Sequence, residues 1–424
     1  MRRIRPLLLA CLVATASAAW GDCLFVNNND DPNTVSAFQV AADGSLTPAP
    51  GSPFATGWGG GFTAHIDSVA LLPGAPRVYV SNSSPIGFGG DRAARSRSRD
   101  GAPAGELQEI GAVAGFDIAA NCALTPIAGS PWTTGECATG IAIDPTGSYL
   151  YVANFCSDTI SAFSIGGGGA LTELGFSPIS TPGEPFDLEL SPDGARLFVS
   201  HDFQDAVGVY DVAGGGGLTP VAGSPFAAGG TEHGLALDPA GARVYVSDLG
   251  PNSISGFSVG GGGALAALPG SPFAAGEVIE TLVAPAGDYL FASNNEDDTL
   301  GVYAVAGDGS LSPVAGSPFT SDDGPAGLVT APDGSLLFVA NGGFGGASSV
   351  SVYSVGAGGA LAGIAGSPFA TGGTNGEATG IAYYALGFTP TTWVDVPALG
   401  PAGLALLAGA LALAAVVGLR RRRA

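Results

Sequence analysis

A short pattern recurs seven times along the chain, and this periodicity restricts the possible folds more than any other feature. Each copy ends in a tetrapeptide, which is Gly-Ser-Pro plus an aromatic residue in six copies and Gly-Phe-Ser-Pro in one. The tetrapeptides begin at Gly51, Gly129, Gly175, Gly223, Gly270, Gly316 and Gly366. From the second copy onward the steps are 46 to 50 residues, whereas the first step is 78 residues and must contain an insertion. Periods of this length indicate a repeat architecture.

One repeat, residues 231–273, is enough to predict the secondary structure of the others. It contains four short apolar runs, at residues 235–237, 244–246, 254–259 and 265–268, and each run is followed by turn-forming residues. Runs of this length that are rich in Val, Ile, Leu, Tyr and Phe are typical of β-strands joined by tight turns. Each repeat therefore predicts four antiparallel strands.

Seven four-stranded sheets around one axis form a β-propeller, an architecture that leaves few sheet edges exposed. The repeats begin with a second-strand sequence at residues 24–27 and end with a lone first strand at residues 379–384. We therefore predict an all-β, seven-bladed propeller. It is expected to close by pairing of the N-terminal strands with the last C-terminal strand.

The repeated residues also resemble those of a known family. Residues 190–194 read Leu-Ser-Pro-Asp-Gly, and residues 197–200 read Leu-Phe-Val-Ser. They are similar to the blades of YVTN-repeat propellers and of lactonase-family propellers related to 6-phosphogluconolactonase. The resemblance covers residues 23–386 and implies the seven-bladed fold. Because the shared residues form strands and turns, it implies lactonase activity less directly.

The N-terminal residues carry an export signal. Residues 1–19 contain three arginines, then a short apolar run, then small residues, which is typical of a secretory signal peptide. We assign residues 20–388 to the propeller, with an inserted loop at residues 83–109 that contains four arginines. This polar, Gly- and Pro-rich loop is expected to be mobile, either as an accidental expansion or as a basic flap over an acidic opening.

A membrane signal follows the propeller. After a linker at residues 389–397, residues 398–419 contain no charge and are long enough for one transmembrane helix. Residues 420–424 form a basic tail, which is expected on the cytoplasmic side and places the propeller outside. This end resembles the IPTL- and PEP-CTERM-type sorting tails of bacterial surface proteins, which implies removal by a sorting transpeptidase. The alternative is a plain membrane anchor.

The cysteines agree with export. One of the five lies in the signal peptide and four remain. A hairpin centred on residues 146–147 places Cys137 opposite Cys156, which predicts a disulfide between them. Cys23 and Cys122 then pair by elimination. No C-x-x-C spacing is present, which argues against a metal site formed by the cysteines.

The charge balance excludes one class of partner. The chain has 36 acidic residues, 14 arginines and no lysine, and its net charge is −22. Nucleic-acid binding needs concentrated positive charge, so we exclude nucleic acid as a partner. The simplest interpretation is an acidic, solvated surface that keeps an exported monomer dispersed.

Acidic residues and histidines cluster near the connections that precede the first strands, and these connections surround one opening of a propeller's channel. We predict that this opening binds a ligand through His65, Glu136, Glu184, His201, Glu280 and Glu377. Glu232 and His233 are the candidate catalytic pair, because a histidine beside a carboxylate is suited to act as a general base. The alternatives are a divalent cation site, for example for Ca²⁺, and residues that only cap strands. The Asn or Asp that ends most second strands is predicted to be structural, since such side chains bond the backbone of the next turn.

Together these features predict an exported, surface-associated propeller that is a structural module or binds a small molecule, a glycan or a protein. The alternative function is a lactonase-type hydrolase that opens a neutral lactone at the acidic opening. A phosphorylated sugar acid is disfavoured as substrate, because the acidic opening repels anions. The sequence does not identify a cofactor.

Overall fold

The described part of the chain consists of seven antiparallel sheets arranged as the blades of a propeller. The computed structural model describes residues 22–28, 32–58, 68–83, 110–230, 232–342, 348–373 and 378–385. We number the blades 1 to 7 along the chain and give the strands of each blade from the channel outward.

Blade 1 contains Ala378–Tyr384, Asp22–Asn28, Thr34–Val40, Leu46–Pro48 and Phe54–Ala55. Blade 2 contains Val69–Leu71, Arg77–Ser83, Ile110–Ile118, Leu124–Pro126 and Trp132–Glu136. Blade 3 contains Ala138–Ile143, Tyr149–Asn154, Thr159–Ile165, Leu171–Glu173 and Ile179–Ser180. Blade 4 contains Pro185–Leu190, Arg196–His201, Ala206–Val212, Leu218–Pro220 and Phe226–Ala227.

Blade 5 contains Glu232–Leu237, Arg243–Asp248, Ser253–Val259, Leu265–Ala267 and Phe273–Ala274. Blade 6 contains Val278–Val283, Tyr289–Asn294, Thr299–Val305, Leu311–Pro313 and Phe319–Thr320. Blade 7 contains Pro325–Thr330, Leu336–Asn341, Ser349–Val355, Leu361–Gly363 and Phe369–Ala370. Short 3₁₀ helices occur at Phe155–Ser157, Asp202–Gln204 and Ala357–Gly359.

Blade 1 closes the ring. Its innermost strand comes from the C-terminal side of the propeller and pairs antiparallel with the first N-terminal strand, from Cys23 opposite Tyr384 to Val26 opposite Ile381. Around the axis, each innermost strand contacts the innermost strands of the two neighbouring blades. The predicted closure and the predicted number of blades are therefore confirmed.

The fourth strand of each blade differs from the prediction because it is broken in two. Both pieces pair with the third strand, one on each side of the repeated tetrapeptide. The Ser-Pro peptide bond there is cis in all seven copies. Each serine Oγ accepts a hydrogen bond of 2.9–3.0 Å from a third-strand N–H, and these serines are Ser52, Ser130, Ser177, Ser224, Ser271, Ser317 and Ser367. The tetrapeptide thus fastens the bend in the outer strand.

Neighbouring blades are joined by side chains of the second strand. Hydroxyls donate to glycine carbonyls of the next blade at 2.7–2.9 Å, in the pairs Tyr79–Gly169, Tyr151–Gly216 and Tyr245–Gly309. Guanidinium groups also donate to glycine carbonyls of the next blade, in the pairs Arg77–Gly167, Arg196–Gly261 and Arg243–Gly307. The accepting turns are rich in glycine because the neighbour lies so close. At Gly169, which has a φ of +83°, a Cβ would lie 2.7 Å from the Cδ of Arg77.

Both predicted disulfides are present. Cys137 and Cys156 have their Cα atoms 5.3 Å apart, and Cys23 and Cys122 have theirs 5.6 Å apart. The second bond connects blade 1 to blade 2. It therefore reinforces the side of the propeller where the ring closes.

Other predicted segments lie outside the described residues. They are the signal peptide at residues 1–19, most of the loop at residues 83–109, the linker at residues 389–397, the span at residues 398–419 and the tail at residues 420–424. Among the residues that the structure does describe, no helix is long and apolar enough to cross a membrane.

Candidate functional site

A cavity of about 230 Å³ lies on the propeller axis, between the innermost strands. Its lining comes from six blades. The lining residues are Val69, Ile141, Asp187, Leu188, Glu189, Leu235, Ala236, Leu237, Glu280, Thr281, Leu282, Val283 and Leu328. Except for Val69, which begins its strand, they occupy the middle and the later part of the innermost strands, toward the hairpins that lead into the second strands. Apart from three carboxylates and one hydroxyl, the lining side chains are apolar.

Two of the carboxylates, Asp187 and Glu189, belong to blade 4 and bind the innermost strand of blade 5. Asp187 Oδ2 accepts the N–H of Leu235 at 2.9 Å, and Glu189 Oε2 accepts the N–H of Leu237 at 2.7 Å. The innermost strand is the edge of its sheet, so these N–H groups have no partner in the β-ladder. The two acids supply that partner. Asp187 Oδ1 also accepts the N–H of Leu188 at 2.6 Å.

The third carboxylate, Glu280, lies in blade 6 and is only 3% exposed. Its Oε1 accepts the N–H of Thr281 at 2.8 Å. Glu280 was predicted to lie in a connection, whereas it lies inside the innermost strand of blade 6. It is the one predicted ligand-binding residue, among those the structure describes, that reaches the cavity.

Glycines on neighbouring blades make room for these acids. Strand register aligns Asp187 and Glu280 with Gly140, Gly234 and Gly327 of blades 3, 5 and 7. A Cβ on Gly140 would lie 2.8 Å from the Cα of Asp187, and a Cβ on Gly234 would lie 2.7 Å from the Oε1 of Glu280. From blade 3 to blade 7, glycine and acid alternate at this level of the channel. The alternation gives each carboxylate space between two neighbours that lack side chains.

His201 has a different environment from the one predicted. Its side chain is fully buried, and Nδ1 donates to the carbonyl of Gly183 at 2.5 Å. Burial lowers the pKa of His201, and the bond to Gly183 and the charge of Asp158 only partly oppose that shift. On its other side the ring lies against Gly208, where a Cβ would be 2.6 Å from Nε2. His201 is therefore a buried, packed side chain whose protonation is disfavoured.

Comparison with blades 3 and 7 explains why a histidine fits at the end of the second strand of blade 4. Asn154 and Asn341 end the second strands of blades 3 and 7, and their Nδ2 atoms donate to Ser or Thr hydroxyls of the third strand at 2.9–3.0 Å. Blade 4 has Ala206 and Gly208 in the third strand instead, and the larger imidazole fills the space. These Asx side chains are structural, but their partners differ from the predicted backbone of the next turn: they bond third-strand hydroxyls, and Asn154 Oδ1 also accepts the N–H of Gly135 from the preceding segment.

His233 lies outside the cavity lining. Its Nε2 is 3.4 Å from Oδ1 of Asp202, and its ring stacks on Phe186 with centroids 4.4 Å apart. Backbone atoms of its predicted partner Glu232 belong to the same strand, but the side chain of Glu232 is outside the described atoms. The predicted catalytic pair is thus not part of the described cavity.

Of the remaining predicted ligand-binding residues, two donate their backbone N–H groups to nearby side chains, and two lie outside the described part of the chain. The N–H of Glu184 donates to Asp158 Oδ1 at 2.9 Å, and its φ is +34°. The N–H of Glu136 donates to Ser157 Oγ at 3.2 Å. His65 and Glu377 are outside the described residues. None of Glu136, Glu184, His201 and His233 is among the residues that line the described axial cavity.

Asp187 and Glu189 were not predicted, because they lie within an innermost strand and not in a connection. The signal is nevertheless present in the sequence. The innermost strand Pro185–Leu190 reads PFDLEL, with two acids at alternate positions of an apolar strand. A buried strand with alternating acids is costly unless the acids have partners, so it points to a polar channel. Among the described residues, no group of three or more His, Cys, Asp or Glu side chains is placed to hold a metal ion.

These features define a class: seven-bladed propellers with an axial cavity lined by carboxylates. The chain belongs to the seven-bladed β-propeller lactonase family, whose model matches residues 111–232 and 227–371. The match covers more than half of the chain. No curated protein matches the sequence.

Solved structures support the same fold. A candidate 6-phosphogluconolactonase from Bacteroides fragilis superposes with a TM-score of 0.65 at 15% identity, over 87% of this chain and 99% of that chain. The periplasmic gluconolactonase of Pseudomonas aeruginosa gives a TM-score of 0.64 at 19% identity, over 86% and 99%. A protein from Lactobacillus plantarum gives 0.64 at 18% identity, over 86% and 99%. At these identities the likeness concerns the fold.

Proposed function

We propose that this protein is an exported lactonase-type hydrolase that binds an uncharged, hydroxyl-rich lactone in the axial cavity. The observation that carries the proposal is the presence of Asp187, Glu189 and Glu280 in one cavity, whose described lining contains no Arg, Lys or His. Carboxylates accept hydrogen bonds from sugar hydroxyls and repel a phosphorylated substrate. Family membership supports lactone chemistry, since the matching model is that of lactonases.

Export agrees with a neutral substrate. Two disulfides are typical of oxidising compartments outside the cytoplasm. The fold is shared with a periplasmic gluconolactonase, whose substrate class by name is an uncharged sugar lactone. We further propose that residues 1–19 are removed on export and that residues 398–424 anchor or sort the protein at the surface. Intact-mass measurement of the protein recovered from the cell surface checks both ends.

The cavity suggests a division of roles. Two backbone N–H groups stabilise the charged form of Asp187, which suits it and its neighbour Glu189 to hold substrate hydroxyls. We assign Glu280 as the general base. It takes a proton from water as the water oxygen attacks the lactone carbonyl. When the ring C–O bond breaks, Glu280 passes that proton to the ring oxygen, which leaves as a hydroxyl, and the new carboxylic acid loses its own proton to solvent. The product is a hydroxy acid, whose negative charge favours release from an acidic cavity.

Replacement of the proposed base tests the function. We expect the wild-type chain to hydrolyse δ-gluconolactone faster than its 6-phosphorylated form, as measured by acid release at constant pH. Glu280→Gln should reduce kcat by roughly 10²-fold or more, because a positioned general base contributes about that factor. Glu296→Gln, an exposed acid of the same blade, is the matched control and should retain the wild-type rate.

Other outcomes are decisive against this assignment. A larger loss in His233→Ala than in Glu280→Gln would return the base to the histidine predicted from sequence. Lactone binding without turnover in the wild type would favour the second candidate, a binding module for a small molecule or a glycan end. The observation that favours this second candidate is the use of carboxylate oxygens to bind backbone N–H groups.

A further inference from the structure

An apolar cluster occupies the end of the channel where the innermost strands begin. Phe186 packs with Phe155 and Ala326, and partly buried Ile279 packs against them. Phe186, Ile279 and Ala326 each stand second in the innermost strand of their blade, in blades 4, 6 and 7. Residues of blades 4 and 7 contact each other only across the axis. We call Phe155, Phe186, Ile279 and Ala326 the apolar plug.

Aromatic contacts hold the central ring of the plug in place. Phe186 meets Phe155 edge-on, with centroids 6.0 Å apart and planes at 84°. On another side the ring of His233 from blade 5 stacks on it at 4.4 Å. Both geometries are favourable arrangements of π-systems. With Phe155 from blade 3, residues of four other blades therefore surround Phe186.

The cavity begins directly beyond the plug. Asp187, the residue after Phe186, already lines it, and the remaining lining extends toward the hairpins that lead into the second strands. We infer that the plug closes the channel at the strand-start end, so that the cavity is a one-ended pocket entered from the hairpin face. The predicted acidic opening is then not the entrance to the carboxylates, and Phe186 sets the depth of the pocket.

A one-ended pocket restricts the class of ligand. A ring can enter only as a free small molecule or as the last unit of a chain, because a polymer cannot pass through. This part of the inference rests on the proposed function. The route of entry does not, and it is tested without any turnover.

Introduced cysteines report the route of entry. All four cysteines of the described residues are in disulfides, so a new thiol reacts alone. Thr281→Cys and Val283→Cys lie two residues apart on the same innermost strand, the first nearer the plug and the second nearer the hairpin. With a small methanethiosulfonate reagent, we expect position 283 to react severalfold faster than position 281. The reverse order would overturn the inference.

Truncation of Phe186 in the apolar plug provides a second test of the route of entry. In the Thr281→Cys background, Phe186→Ala should open the blocked end and raise the rate of reaction with a bulky maleimide by at least severalfold. Phe226→Ala, the same truncation on an outer strand of blade 4, is the matched control and should leave that rate unchanged. Phe186→Leu, which retains most of the volume, keeps the test valid if the alanine variant does not fold. An unchanged rate in a folded Phe186→Ala variant would contradict a plug at this end.

The experiments distinguish failure of the proposed lactonase activity from failure of the proposed route of entry. If labelling follows the expected order but no lactone is hydrolysed, the pocket is one-ended and the proposed activity is wrong. If lactones are hydrolysed but position 281 reacts faster than position 283, the activity stands and the plug does not close the channel. If the lactonase activity and the one-ended pocket are both confirmed, δ-gluconolactone should bind, and internal units of a soluble polysaccharide should not.

Discussion

At the scale of single residues, the end of the second strand shows how one position is adjusted to its surroundings. Asn occupies it in blades 3, 6 and 7, His in blade 4 and Asp in blade 5. Asp248 Oδ2 accepts hydroxyl bonds from Ser253 and Ser255 at 2.7 and 2.9 Å. Burial nevertheless raises the pKa of Asp248, and these hydrogen bonds only partly oppose that shift.

The raised pKa of Asp248 determines how its contribution to the folding free energy changes with pH. The folded state holds a proton on Asp248 more tightly than the unfolded state does, so protonation favours folding. The contribution is present at pH values below the unfolded pKa of 3.8 and is lost as pH rises through the higher folded pKa. At pH values above the folded pKa the protein therefore contains a buried carboxylate charge that an amide would avoid.

Asp248→Asn should raise the melting temperature at pH 7 and have a smaller effect at pH 4. The amide also fits sterically, because Asn341 makes the equivalent bonds to Ser349 and Ser351. Thermal unfolding at the two pH values measures the difference. Asp308→Asn is the control, since hydrogen bonds from Ser310 lower the pKa of that exposed carboxyl and its replacement should not stabilise the protein. Equal gains at both pH values would contradict a role for the buried charge.

At the scale of elements, the broken outer strand depends on one hydroxyl per blade. Ser271 Oγ accepts the N–H of Gly256 at 2.9 Å and holds the bend of the outer strand against the third strand of blade 5. Without this acceptor, a partly buried N–H has no partner. Buried polar groups that lose their partner destabilise the folded state.

Ser271→Ala should lower the free energy of unfolding by about 1–3 kcal/mol, the usual effect of leaving a buried donor unsatisfied. Chemical denaturation of the isolated variant measures it. Ser258→Ala removes an exposed hydroxyl that donates to Ala266 in the same blade and should change stability far less. Similar losses in both variants would show that the tetrapeptide serine is not a specific anchor.

At the scale of the whole molecule, stability depends on keeping the ring closed. Blade 1 is built from both ends of the described chain, so opening of its innermost pair would separate blades 1 and 7. The disulfide between Cys23 and Cys122 spans 99 residues and ties blade 1 to blade 2, whereas that between Cys137 and Cys156 spans 19. A cross-link over a longer loop restricts the unfolded chain more.

Replacement of both cysteines of a disulfide by serine should therefore lower the free energy of unfolding more for the Cys23/Cys122 pair than for the Cys137/Cys156 pair. The chain-entropy model gives about 4–5 kcal/mol for the Cys23/Cys122 pair and about 3 kcal/mol for the Cys137/Cys156 pair. Denaturation of each double variant under oxidising conditions provides the comparison. A larger loss for the shorter loop would show that local contacts, rather than chain entropy, dominate.

Much of this architecture was readable from the chain. Strand and turn propensities are local, so the repeat of residues 231–273 predicted its blade without reference to other blades. The pairing of Cys137 with Cys156 followed from the register of a single hairpin, and ring closure followed from an unpaired strand at each end. The breaks in the outer strands were not predicted, because a short turn and the bend of a strand look alike in sequence.

The sequence by itself determined the number of blades, their closure and the Cys137–Cys156 disulfide, since each depends on short-range alternation or on counting repeats, and the Cys23–Cys122 disulfide then followed by elimination. Only the tertiary structure decided where the polar chemistry lies. Asp187 binds Leu235, 48 residues away, and Glu280 fits because Gly234 of the neighbouring blade has no side chain. His201 was predicted to bind a ligand and is instead packed against Gly208. The direction of a side chain on an innermost strand depends on the adjacent blade. That blade is distant in the sequence, so a local sequence pattern cannot predict the contact.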